Sequence, residues 1–284
     1  MSKKLTPQEM QVIAESIRLV TLQTFKKVGS GHVGGSMSII ETLAVLYGSE
    51  MKNLDPSNPA KADRDRLVLS KGHAGPALYA TLALRGYFPK EMLEELNQNG
   101  GHLPSHCDRT KTPGIDMTTG SLGQGISAAI GMALAARMNK QDYTTYLIVG
   151  DGECNEGQIW EGAMFAAHHK LDNLICFVDN NKQQLDGYIK DVLDPGDLGE
   201  KFASFGWHVQ TVNGHDCGAI ADAIAAAKEA KGQPSCIVLD TEKGYGCTFS
   251  EGVCPNHHQS FTPEQMDEAI ENAKQRLTAA RKAK

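Results

Sequence analysis

The stretch Val149–Gly157, VGDGECNEG, leaves an apolar strand and at once sets an acidic residue, Asp151, between Gly150 and Gly152. A carboxylate at a strand's C-terminal end, flanked by residues that let backbone N–H groups face outward, suits a charged ligand or a metal better than a core. A second apolar strand ends in FVDNNKQQLDG, residues 177–187. In a parallel βαβ unit the two strand ends lie side by side, so Asp151 and Asn181 can share one hard cation through oxygen atoms. Two oxygens on one edge leave room for diphosphate oxygens and water, the ligand set typical of Mg²⁺. The glycines let the backbone approach that diphosphate, and the N-terminus of the following helix favours its charge. The alternative is a dinucleotide-type turn built on Gly150-x-Gly152 and Gly157, but a lone glycine pattern is weak, and it leaves the distant asparagine pair unexplained.

The elements that must position these residues are legible along the chain. TPQEMQVIAESIRLVTLQTFKKVGSG places Ile13, Ile17, Val20 and Phe25 near helical spacing, with Thr6 as N-cap, Pro7 as first helical residue and Gly29 as terminator. Ser36 is a candidate cap for a helix through MSIIETLAVLYG, closed by Gly48. DRLVLS reads as a strand leading into a helix over KGHAGPALYATLALRG, and Pro89 opens a further helix, EMLEELNQ. From Gly100 to Gly125 the chain is rich in Gly, Pro, His, Ser and Thr, and structureless loops of that length are usually functional. ISAAIGMALAARM, YTTYLIVG, GQIWEGAMFAAHHK, LICFVD, WHVQTV, CGAIADAIAAAKEAKG and CIVLDT then alternate helix and strand. Near-continuously apolar strands alternating with helices predict an α/β fold, a doubly wound, mainly parallel sheet with helices on both faces, whose ligands bind at the C-terminal strand ends. Residues 1–284 read as a single domain, with a charged, exposed helix at about 262–284.

Composition narrows the partners. Hydrophobic residues make up 40% and charged residues 22%, as in ordinary globular proteins, and the net charge of −6 gives no electrostatic reason to expect nucleic acid or a membrane surface. No apolar run approaches the roughly 20 residues that cross a bilayer, and the start, MSKKLTPQEM, has no apolar signal region. Seven scattered cysteines do not form a disulfide framework and fit a reducing, cytoplasmic setting.

The pairing of GDG with a strand-terminal NN resembles the signature of thiamine-diphosphate enzymes, and the rest of the chain is similar to the diphosphate-binding domain of transketolases. SGHVGGSMS (30–38), LSKGHAGPALYA (69–80), GGHLP (100–104), TTGSLGQG (118–125), GDGECNEGQIWEGAMFAAHHKLDNLICFVDNN (150–181) and KGYGCTFSEGVCPNHH (243–258) occur in the family's order. The resemblance implies thiamine diphosphate and Mg²⁺ as cofactors, with Asp151, Asn181 and the carbonyl of Gln183 as metal ligands. Gly150, Gly152 and Glu153 belong to the same diphosphate-binding segment. Gly120, Ser121 and Leu122 match the loop that contacts the cofactor's aminopyrimidine. Leu185 matches an apolar position beside its thiazolium, a role compatible with an ordinary buried leucine.

Four of the ten histidines, His32, His73, His102 and His257, fall on the family's motifs, where they line the cofactor and substrate channel. Imidazole suits that work because its two nitrogens donate or accept near neutral pH. His168, His169, His208 and His215 lack such context and read as structural; His106 stays open. A zinc site from Cys247, Cys254, His257 and His258 is the competing reading, but the cysteine spacing is wider than that of structural zinc ligands. Glu156 and Glu161, on the helix after GDG, match a pair that faces the other half of the family's active site.

The resemblance implies an enzyme that moves a two-carbon ketol unit from a ketose donor, free or phosphorylated, to an aldose. It also implies two further domains that these residues do not contain, so a separate polypeptide is expected to supply them, in an α2β2 assembly. The alternatives are one chain of a 2-oxo-acid dehydrogenase, a deoxyxylulose-phosphate-synthase-like chain, or a non-catalytic thiamine-diphosphate-binding module. The donor sugar, whether a pentose phosphate, a branched sugar or a sulfonated one, is not fixed by these motifs.

Overall fold

The computed structural model describes residues 4–283. Five parallel strands form the central sheet: β1 (Arg66–Leu69), β2 (Thr145–Gly150), β3 (Leu174–Asn180), β4 (His208–Asn213) and β5 (Ser235–Asp240). They lie in the order β1-β2-β3-β5-β4. In the register between β2 and β3, Gly150 pairs with Asp179, which brings the GDG and DNN segments to one edge as the alternation predicts.

Successive side chains on each strand divide between two cores. Tyr146, Ile148, Ile175, Phe177, Ile237 and Leu239 pack on one face with α1 (Pro7–Val28), α3 (Ile40–Val45), α4 (Gly75–Leu84), α9 (Cys217–Glu229) and α10 (Pro263–Lys282). Leu147, Val149, Cys176, Val178 and Cys236 pack on the other with α5 (Gln124–Met138), α6 (Gly157–His168) and α8 (Leu198–Ser204). A sheet buried on both faces needs apolar residues at every position, which is why these strands read as continuous apolar runs.

Three local expectations are corrected. Ser36 does not cap a helix: it lies inside α2 (Val33–Met37), which starts earlier because Gly34 and Gly35 fit where a Cβ would lie 2.5 Å from the Asn256 carbonyl oxygen and 2.9 Å from the His73 ring. The helix continues as α3 and widens into a π turn at Leu46–Glu50 rather than closing at Gly48. The segment after Pro89 is a 3-10 turn, Lys90–Glu95.

The terminal helix is charged but not simply exposed. Thr262 and Gln265 form a capping box at its start, and Met266, Ala269, Ile270, Ala273 and Leu277 form a buried stripe at helical spacing against the core that α1 lines. Met266→Ala is expected to lower stability by about 2–4 kcal/mol, the cost of a buried cavity, whereas Lys274→Ala on the solvated face shifts it by less than about 0.5 kcal/mol. Urea-unfolding midpoints followed by circular dichroism check both.

Candidate active site

Three acidic side chains meet at the C-terminal rim of the sheet, each in a different electrostatic state. Asp179, 0% exposed, ends β3 and accepts from Ser38 Oγ at 2.7 Å, Asn181 Nδ2 at 2.8 Å and Thr241 Oγ1 at 2.5 Å. It also pairs with Lys71 Nζ, itself 1% exposed. Burial alone would push the Asp179 carboxyl up, but Lys71 and the hydroxyls outweigh it and hold the group below its ordinary value.

Glu153 is consumed internally. It accepts from Ser70 Oγ at the end of β1, from the Gly123 N–H before α5 at 2.8 Å and from the Gly150 N–H at 3.1 Å. The residue lines the cavity as expected for a cofactor-binding position, yet its carboxylate, pushed up by burial, ties three segments together.

Asp151, 1% exposed, accepts the Gly152 N–H at 2.8 Å and the Lys182 N–H at 2.5 Å. No ion pair compensates it among the described residues. Burial first, then the charge of Asp179 beside it, push its carboxyl up to about 7. A buried carboxylate with that history gains from a cation.

Asp151 lines a cavity together with Asn181, Gln183, Gly150 and Gly152 on one side and Lys71, His73, Lys243 and His257 on another. A Cβ on Gly150 would meet nothing nearer than 3.9 Å, so the glycine leaves open space toward a ligand that any larger residue would fill. Among the described residues the Gln183 side-chain oxygen is buried without a partner, and the Asn181 side-chain oxygen receives only the Gln183 N–H, at 3.2 Å. One uncompensated carboxylate, amide and carbonyl oxygens, and two buried ammonium groups fit a diphosphate bridged by a hard divalent cation.

Lys243 is 1% exposed, its Nζ lies 3.4 Å from the carbonyls of Gln183 and Gln184 and 3.5 Å from His257 Nδ1, and burial followed by Lys71 lowers its ammonium to about 8. Neither lysine is singled out by the motifs, nor is Asp179. The signal available in LSKGHAGP, FVDNN and KGYG is a charge within a few residues of an apolar strand end, which has to be paired or functional but does not reveal its partner.

The histidines form one fan. His73 and His257 stand 4.5 Å apart between ring centroids, and His32 lies 5.5 and 5.3 Å from them. His32 also meets His106 at 5.4 Å and His258 at 4.9 Å. Burial first, then neighbouring positive groups, lower His32 to about 4 and His257 to about 3, and His73 and His106 are lowered as well, chiefly by burial. At neutral pH the rings of His32, His73, His106 and His257 are uncharged hydrogen-bonding groups.

His102 is not in the fan. Its ring pairs with Glu95 at 2.6 Å and its side chain is 56% exposed, and within the same loop it is His106 that joins the other rings. His106 packs against Gly120, where a Cβ would come within 3.0 Å of its ring and where φ is +136°, a value that glycine tolerates. The loop thus carries Gly120 against His106 and brings Leu122 to the cavity, while Ser121 is exposed. Leu185 is corrected as a buried leucine: it borders the cavity but is 61% exposed. Glu156, the N-cap of α6, and Glu161 within it are exposed and do not line the cavity. Cys247, one member of the zinc alternative, is fully buried, and among the described residues no group of three or more His, Cys, Asp or Glu is arranged to hold a metal.

An open parallel sheet whose strand ends gather a buried carboxylate without an ion pair, amide oxygens, two buried lysines and neutral histidines has the fold and the donor set of an α/β protein that binds a phosphate-bearing ligand. Residues 9–282 match the family model described as transketolase, thiamine diphosphate binding domain, and the chain belongs to the transketolase family. It is 55% identical over 262 residues, 92% of this chain and 95% of the relative, to the 6-deoxy-6-sulfo-D-fructose transketolase subunit SqwG of Clostridium sp. (strain MSTE9). It is 35% identical to an apulose-4-phosphate transketolase subunit of Phocaeicola vulgatus (strain ATCC 8482), covering 95% of each chain. The crystal structure of transketolase from Campylobacter jejuni superimposes with a TM-score of 0.87 at 32% identity, covering 93% of this chain and 42% of that one. The chain therefore spans less than half the length of that solved transketolase.

The lowered histidines set a pH dependence. An unfolded histidine takes up a proton near 6.5, whereas folded His257 does so only near 3 and His32 near 4. Between those values the unfolded chain binds more protons, so each group's contribution to stability is lost as the pH falls through that window. Asp151, raised to about 7, works in the opposite direction, so the comparison is made against a variant. The melting temperature of the unaltered chain should drop relative to that of His257→Gln as the pH is lowered from 7 to 5; parallel curves would refute the assignment.

Proposed function

We propose that the chain is the diphosphate-binding subunit of a two-chain transketolase, transferring a two-carbon ketol unit from a ketose to an aldose. The cavity in which Asp151 lies uncompensated opposite Lys71 and Lys243 carries this reading. Two relatives of nearly this chain's own length are named as transketolase subunits, which supports a separate polypeptide holding the other domains. In this reading residues 1–284 form one diphosphate-binding domain, and two copies of each chain form an α2β2 enzyme. Seven free cysteines support a cytoplasmic location.

Bound thiamine diphosphate would supply the carbon nucleophile that accepts and releases the two-carbon fragment. The chain's own residues hold and orient. Asp151, Asn181 and the carbonyl of Gln183 would hold Mg²⁺, Gly150 would admit the diphosphate, and Lys71 and Lys243 would offset its charge. His73 and His257 present uncharged donors beside it, while His32 and His106 extend the hydrogen-bonding surface toward the sugar's hydroxyls. The 55% likeness favours a sulfonated ketohexose of the kind that relative's name carries as donor over a branched ketose phosphate.

Calorimetric titration of thiamine diphosphate with Mg²⁺ tests the reading. Tight binding by the chain assembled with its complementary subunit should weaken at least roughly 100-fold in Asp151→Asn, as when a metal ligand or its support is removed. Turnover of 6-deoxy-6-sulfofructose with an aldose phosphate acceptor, set against fructose 6-phosphate, then identifies the donor; an Asp151→Asn variant that binds as tightly as the unaltered chain refutes the site.

The loop histidines give an independent check. In steady-state kinetics of the assembled enzyme, His106→Ala should raise KM for the ketose about fivefold to tenfold, the loss of one neutral hydrogen bond. His102→Ala should leave it within about twofold; the reverse order would return the role to His102.

A further inference from the structure

Lys243 enters the cavity from a segment, residues 241–246, that is gripped at both ends. At one end Thr241 Oγ1 donates to Asp179 at 2.5 Å. In the middle the Gly244 N–H donates to the Gly34 carbonyl at 3.1 Å, and the Lys243 carbonyl accepts from Asn256 Nδ2 at 3.2 Å. At the other end stands Tyr245, whose ring is covered by three groups. His215 stacks on it at 3.7 Å and 16°, Arg18 lies 5.1 Å from its centroid and Arg276 lies 4.8 Å from it.

These groups are tied to one another and to the segment. Arg18 donates to the Tyr245 carbonyl at 2.5 Å, and His215 Nε2 accepts the Glu242 N–H at 2.8 Å. Gly246, at φ +77°, leaves the space that Arg18 fills, since a Cβ there would lie 2.8 Å from the guanidinium stem. Both arginines share Glu15: Arg18 Nε is 3.1 Å from Oε2, and Arg276 Nη2 is 2.9 Å from Oε1. Arg276 belongs to α10 and does not itself line the cavity.

We propose that Arg276 is a positioning residue for the cofactor site: by covering Tyr245 and bracing Glu15, it fixes the 241–246 segment so that Lys243 reaches the diphosphate end of the cavity. The inference rests on the thiamine-diphosphate reading of that cavity and extends it to the terminal helix. Lys243 lies in the chain between a pinned Thr241 and a pinned Tyr245, so a shift at Tyr245 displaces the backbone that carries the ammonium. Arg18 makes a poor probe, because it is 0% exposed and pairs with both Glu15 and Glu41. Arg276 retains 29% side-chain exposure and can be changed with less damage to the core.

A double-mutant cycle separates positioning from general stability. Thiamine diphosphate with Mg²⁺ is titrated into the assembled enzyme carrying the unaltered chain, R276Q, K243M or both. R276Q is expected to weaken binding roughly fivefold to twentyfold, in the range of coupled neighbours, and to have no further effect in the K243M background. R276K, which keeps a cation over the ring but not the planar fork on Glu15, should recover part of the loss. If R276Q does not fold, R276K is carried through the same cycle with a smaller expected loss. Unchanged affinity in the arginine variant, or the same fold loss with and without Lys243, overturns the inference while the function stands. An unaltered chain that binds no cofactor overturns both.

Discussion

The structure depends on how one buried carboxylate is neutralised. Asp179 stands at the point where three strand ends and α2 converge, and its oxygens are filled by Lys71, Ser38, Asn181 and Thr241. Each partner comes from a different segment, so the network fixes the relative position of the ends of β1, β3 and β5 more tightly than the apolar cores beneath them can. Removing one member of a buried ion pair costs about 3–5 kcal/mol, because the remaining charge is stranded. The same neutralisation has a directional consequence. Lys71 is spent on Asp179, which leaves Asp151 buried, adjacent to a negative charge and without an ion pair, and its carboxyl rises to about 7. One carboxylate is satisfied by the fold; the other has no charge partner among the described residues.

The remaining polar groups follow from low dielectric around that point. Lys243, His32 and His257 surround it, and each loses proton affinity in the folded state, first because burial disfavours its charged form and then because neighbouring positive groups do. The result is a gradient of character along one wall. Ammonium groups lie deepest, beside the carboxylates; His73 and His257 follow as uncharged rings; His32, His106 and His258 lead outward. A charged diphosphate suits the inner end and a polyhydroxylated sugar the outer one, where hydrogen bonds to uncharged donors discriminate among hydroxyl patterns without binding every anion in solution. The apolar lining is different. Leu122 and Leu185 border the cavity, and Leu185 keeps most of its surface in solvent, so the chain presents the polar half of a site and leaves its apolar side unfinished.

Much of this is legible in the sequence, and the boundary between what is and what is not has physical causes. Asp151, Asn181 and the sheet order around them can be read because strand ends are marked by a change from apolar to polar residues, and a parallel register brings successive strand ends together whatever the loops do. Lys71 and Asp179 sit in the same stretches but do not stand out there, because a lone Lys or Asp in a sequence carries no mark of its partner; only the sheet register shows that they meet. The terminal helix reads as solvated from its charge, yet a stripe of Met266, Ala269, Ile270, Ala273 and Leu277 suffices to dock it, since Ala contributes close packing while adding little to any hydrophobic count.

The exchange of His102 for His106 shows the limit most plainly. Both rings lie in one long loop, and spacing along such a loop says nothing about which of them turns inward, because no helical or strand periodicity fixes side-chain direction there. What decides it is a contact distant in sequence: Gly120, held at positive φ, leaves a surface on which an imidazole four residues beyond His102 can lie, while Glu95 captures His102 at the rim. The glycine is visible as a cofactor-loop residue, but its second use, as the floor under His106, exists only once the loop has closed. Function in this chain is thus most readable where backbone geometry alone brings groups together, and least readable where a side chain's direction depends on a neighbour that the fold supplies late.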